Sequence, residues 1–177
     1  MKKLYKIMLF LHLFVGIGAM AGGSAAIISP KLPMGMTVDT LKYSPFNNFL
    51  IPGIILFVVL GIGNIFSAIM MFLKSKYQGY ISSVFSFALV IWIIVQCIML
   101  RTIVSLHVIF LIIGLIQSII SIIILFNQHI FLTNIIINII SKLSEKYPNN
   151  TIIKTIYTLG KKFIWLSKKM VLLIKNI

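Results

Sequence analysis

The groups that could do chemistry are few. The 177 residues include two carboxylates, Asp39 and Glu145, three histidines and one cysteine, Cys97. Catalysis by paired carboxylates would need Asp39 and Glu145 together. Three long apolar stretches separate them, which puts them on opposite sides of a membrane. A single cysteine excludes an internal disulfide, a CxxC redox pair and a cysteine zinc cluster, and Cys97 is expected to pack as a small hydrophobe. There is no nucleotide-binding glycine loop, no HExxH and no GxSxG. The expectation is a chain that is not an enzyme, with no catalytic residue, metal site or cofactor.

The remaining polar residues lie within apolar surroundings. His12 stands deep in the first apolar stretch. A proton relay needs several Asp, Glu or His at depth, and no acid falls in any such stretch. His12 is therefore expected to be a neutral, hydrogen-bonded packing residue. Asn64 and Gln117 each lie nine residues from the same side of the membrane, so they share a depth at which an amide seeks a partner. One expectation is an Asn64–Gln117 hydrogen bond; the other is that each bonds a backbone carbonyl or a serine. Gln96, near the outer end of its stretch, is expected to join Gly18, Gly22, Asn64 and Gln117 in helix packing, or else to reach the interface. Gly18 and Gly22 form a small-xxx-small pair that admits a close helix, either from this chain or from a partner. Asp39 is expected to pair with Arg101, Lys42 or Lys31, and His107 lies near the same surface.

These residues are positioned by a very apolar chain. Hydrophobic residues make up 60%, charged ones 10%, and the formal net charge is +14. A soluble domain carries roughly 25% charged residues, so membrane residence is the class that fits. A bilayer core of about 30 Å needs roughly 20 apolar residues in helix. Four stretches meet this: Leu4–Ile28, Phe49–Leu73, Tyr80–Leu100 and about 103–126. Thirteen of the sixteen Lys and Arg residues fall on one side if both termini share it; Lys31, Lys42 and Arg101 fall on the other. Cytoplasmic loops carry the excess of Lys and Arg, so a multi-pass cell-membrane protein with both termini cytoplasmic is expected. A competing reading takes Lys2-Lys3, the apolar core and Ala19-Met20-Ala21 as a cleavable secretory signal. Against it, the apolar run continues through Ile28.

Beyond 126 the pattern changes, dividing the chain into a transmembrane unit (1–126) and a basic amphipathic extension (127–177). Asn134, Asn138, Ser141, Lys142 and Glu145 recur at helical spacing. Pro148-Asn149-Asn150 marks a turn, with Asn150 or Thr151 capping the next helix. At 100° per residue, Lys154, Lys161, Lys162, Lys168, Lys169 and Lys175 occupy an arc of about 140°, opposite Ile152, Ile156, Leu159, Phe163, Leu166, Met170 and Leu173. Such a helix lies in the headgroup plane of anionic lipid. The alternative is docking on the ends of the chain's own spans, and nucleic acid is not an expected partner.

The stretch Ser44-Pro45-Phe46-Asn47-Asn48-Phe49-Leu50-Ile51-Pro52-Gly53 places a helix start at Ser44-Pro45, with Pro52 kinking or restarting the helix. This stretch, with Trp92-Ile93-Ile94-Val95-Gln96 and Leu106-His107…Gly114, resembles a family of small bacterial four-helix membrane proteins sharing an SPF…FLIPG motif. The resemblance covers roughly residues 4–126. It implies a four-span bundle and no activity.

The overall expectation is an all-α, four-helix integral membrane bundle with a C-terminal amphipathic extension. It would serve as a non-enzymatic scaffold or accessory subunit, with lipid, a membrane-protein partner or a second copy as partner. The alternatives are a small transporter or permeability factor, and a bacteriocin-immunity or envelope-defence protein.

Overall fold

The computed structural model describes residues 2–127, 131–147 and 150–175. Every regular element among them is helical. Helix α1 (Lys2–Ile28) is followed by a loop with two short 3-10 turns (Pro33–Gly35 and Val38–Leu41). The second span, Leu50–Phe72, is composite: α2 (Leu50–Ile55), a π-helical segment (Leu56–Ile62) and α3 (Gly63–Phe72). Then come α4 (Gln78–Leu100), α5 (Ser105–Asn127), α6 (Phe131–Lys146) and α7 (Thr151–Lys175). Among the described residues four helices are long and apolar enough to cross a membrane: Lys3–Ile28, Leu50–Phe72, Gln78–Leu100 and Ser105–Leu125.

The spans run up, down, up and down. α1 packs on the second span, α3 on α4, and α4 on α5. On α1 the buried stripe reads Leu4, Met8, His12, Val15, Ala19, Gly23 and Ala26, each three or four residues apart, which is the spacing of a single helix face. The bundle has a layered interior. Met8, Met71 and Ile124 form a core cluster at the end carrying the N-terminus. A second cluster, with Val15, Ala19, Leu60, Leu89, Trp92 and Ile93, fills the middle. Ala26, Leu41, Phe49 and Met99 close the loop end.

The outside of the bundle is greasier than parts of its interior. Phe10, Ile17, Ile91, Ile98 and Ile119 are exposed, while His12, Asn64, Ser67, Ser82, Ser86, Gln117 and Ser121 are fully buried. Water would oppose this arrangement, whereas hydrocarbon favours it, because only inward-facing polar groups find partners there.

The start of the second span differs from the expectation. Ser44 does not open a helix: its hydroxyl accepts a hydrogen bond from the Phe46 N–H in a local turn. The helix begins at Leu50, whose N–H donates to Asn48 Oδ1 at 3.0 Å. Pro52 thus falls in the first helical turn, where an N–H has no intrahelical acceptor in any case, so it restarts the helix without kinking one. At the far end of α4, Arg101 adopts a left-handed conformation (φ 47°) that stops the helix. Its guanidinium lies 3.9 Å from the centre of the Tyr43 ring, a cation–π contact in place of the expected pairing with Asp39.

Candidate functional site

His12 is the centre of the bundle's polar layer. Its Nδ1 lies 2.7 Å from Asn64 Oδ1, and its Nε2 lies 2.7 Å from Ser82 Oγ and 3.2 Å from Ser67 Oγ. Three spans therefore meet on one imidazole. The roles follow from the partners. Asn64 Nδ2 donates to the Leu60 carbonyl at 2.8 Å, which fixes Oδ1 toward the ring. That oxygen can only accept, so Nδ1 carries the hydrogen and Nε2 accepts from the serines. In the neutral Nδ1–H tautomer the single lone pair of Nε2 takes the shorter bond from Ser82 and is shared with the longer one from Ser67.

The fourth span supplies Gln117, whose Nε2 lies 3.5 Å from His12 Nδ1 and whose Oε1 is buried with no hydrogen-bond partner. An amide N–H facing a donating Nδ1 is unfavourable. Turning the amide over lets Oε1 share the Nδ1–H and puts Nε2 in the buried position that Oε1 vacates. The structure thus brings Asn64 and Gln117 to one centre, with His12 between them rather than a direct bond. Sequence reasoning put the two amides at one depth but left His12 out of the pair. The signal was available, because His12 lies at that same depth on α1.

Other buried serines turn back on their own helices. Ser86 donates to the Ser82 carbonyl, Ser118 to that of Gly114 and Ser121 to that of Ser118. Such back-bonding consumes the hydroxyl locally.

The small residues of α1 divide into two sets. A Cβ on Gly23 would meet Phe57 N at 2.7 Å and the Gly53 carbonyl at 2.9 Å, and one on Gly16 would meet the Gly61 carbonyl at 3.2 Å. Close approach of α1 to the second span therefore runs through Gly16 and Gly23 against Gly53 and Gly61. Gly18 and Gly22, the predicted packing pair, have only Phe110 at 3.5 Å and Leu56 at 3.4 Å as nearest neighbours. They line a cavity of about 420 Å³ in the loop-end half of the bundle, together with Trp92, Gln96 and His107. Gln96 belongs to this cavity and not to the His12 centre.

At the C-terminal end, Asn150 Oδ1 accepts from the N–H groups of Ile152 and Ile153 at 3.1 and 3.3 Å, capping α7 as its position suggested. Lys154, Lys161, Lys162 and Lys169 are exposed. The side chains of Lys168 and Lys175, from the same predicted set, lie outside the described residues. No protein-family model, curated protein or solved structure matches the chain.

Proposed function

We propose that the chain is a non-catalytic, multi-pass accessory or scaffold protein of the cell membrane that holds a basic amphipathic helix against anionic lipid. The observation that carries this reading is the surface of α7. Ile152, Ile156, Leu159 and Leu166 of the helix are exposed beside the exposed lysines, and Ile153 and Tyr157 are only partly covered. An uncovered apolar stripe flanked by cations matches the headgroup region, where apolar area and lysine charge both contribute. Trp165 is also exposed, with Lys169 Nζ 5.0 Å from its ring. Within the spans, His12, Asn64, Ser67 and Ser82 are spent on one another, which favours a locked bundle over a polar conduit.

Trp165 reports the outcome. In a Trp92→Phe variant it is the sole tryptophan. Reconstituted into phosphatidylglycerol vesicles, its emission should shift to the blue relative to phosphatidylcholine, and salt should reverse the shift through screening. Identical emission in both lipids at all salt concentrations would sink the lipid reading and favour docking on the chain's own spans. Ion or solute flux above protein-free controls would favour the transporter reading instead.

A further inference from the structure

The cavity of about 420 Å³ in the loop-end half is bounded by α1, the second span, α4 and α5. Its size falls within the range of about 300–1,000 Å³ common to small-molecule sites, which are largely apolar with a few placed polar groups. Val15, Leu60 and Leu89 close the deep end. Gln96, one helical turn from Trp92 on α4, lines the cavity together with Thr102 and His107 toward the loop end.

Two observations say what it holds. Trp92 is 8% exposed, and its Nε1–H is buried without an acceptor. That donor is closed off from the cavity as well, so the polar group offered to a guest is the half-buried Gln96 one turn away, and an amide in an otherwise apolar wall calls for a guest with a polar end on an apolar body. The wall is also incomplete: Gly18 and Ala21 of α1 and Leu106 of α5 line the cavity and are themselves exposed. Met34, Met36, Thr102 and Val104 also line it and are exposed, so the cavity opens both at the loop end and between α1 and α5, among surfaces that face hydrocarbon.

We propose that this cavity binds a single-chain acyl lipid, with its carbonyl end hydrogen-bonded by Gln96 beside the Trp92 ring and its chain laid along Gly18, Ala21 and Gly22. The small residues then serve as a bed for the guest, and their side-chain volume sets how much room it has. Such a site is independent of the lysine helix, none of whose described residues lines the cavity.

The full chain carrying Trp165→Phe leaves Trp92 as the only tryptophan, and Trp165 is an exposed residue that does not line the cavity. In phosphatidylcholine vesicles, a fatty acid brominated midway along its chain should quench Trp92 at least twofold and saturably. Phosphatidylcholine brominated at the same place should quench far less, because a two-chain lipid does not fit. Adding Gly22→Leu or, separately, Ala21→Leu should remove most of the fatty-acid quenching while circular dichroism shows unchanged helix content. Adding Gln96→Leu should raise the half-quenching concentration at least threefold. Absent or non-saturable quenching in the Trp165→Phe chain, equal quenching by the diacyl lipid, or unchanged quenching in both filled variants would each overturn the proposal. An unchanged half-quenching concentration in the Gln96→Leu chain would overturn the placement of the carbonyl end.

Discussion

At the scale of single residues, His12 decides how the polar layer is satisfied. Its two nitrogens reach Asn64 and Ser82 at 2.7 Å each, and no other side chain at that depth offers both a donor and an acceptor on one rigid ring. Replacing it by leucine strands Asn64 Oδ1 and leaves the hydroxyls of Ser82 and Ser67 without their acceptor. The expected cost is about 1–3 kcal/mol, read as a lower midpoint on unfolding in mixed detergent micelles. The coupling between His12→Leu and Asn64→Leu should be about 0.6–1.7 kcal/mol, the scale measured for interhelical hydrogen bonds in bilayers. Strict additivity of the two substitutions would show that the bond contributes nothing of its own.

At the scale of elements, the seam between α1 and the second span is set by backbone proximity. Gly16 and Gly23 are seven residues apart and so share a helix face. Gly53 and Gly61 are eight apart, about 80° out of register in a regular α-helix. The π-helical turns of Leu56–Ile62 lie between them. A wider turn advances fewer degrees per residue and rotates Gly61 back toward the face of Gly53. Gly23→Ala should therefore cost about 1–3 kcal/mol, since the new methyl group meets main-chain atoms that cannot yield. Gly22→Ala, with only the Leu56 side chain at 3.4 Å, should fall within about 0.5 kcal/mol of the parent. The same unfolding midpoints test both. Equal losses would contradict a seam running through Gly23.

For the whole molecule, the open question is which way the bundle faces. The count of thirteen basic residues against three predicts both termini inside. With Cys97→Ser as background, a cysteine replacing Asn47 should react with an impermeant maleimide on intact cells, and one replacing Lys76 should react only after lysis. The opposite pattern would invert the topology and place the lysine helix outside. Both test positions are exposed, so burial cannot mimic protection.

Hydrophobic run length and the placement of breakers were local properties, and they determined the four spans, the two amphipathic helices beyond them and a cap at Asn150 or Thr151, of which the structure uses Asn150. A helix in hydrocarbon must satisfy its own backbone, so twenty apolar residues in a row leave little choice of conformation. The depth of Asn64 and Gln117 was legible for the same reason, since each residue of helix adds about 1.5 Å along the axis. What local pattern could not supply was rotation about each axis. Gly16, Gly18, Gly22 and Gly23 look alike in sequence, yet two meet backbone and two face a cavity. That division depends on the π-helical turns opposite them. The meeting of His12 with Asn64, Ser67 and Ser82 likewise needed three helices to be placed at once. Tertiary packing decided it, because a hydrogen bond tolerates only a few tenths of an ångström and apolar periodicity specifies a face only to within a wide arc.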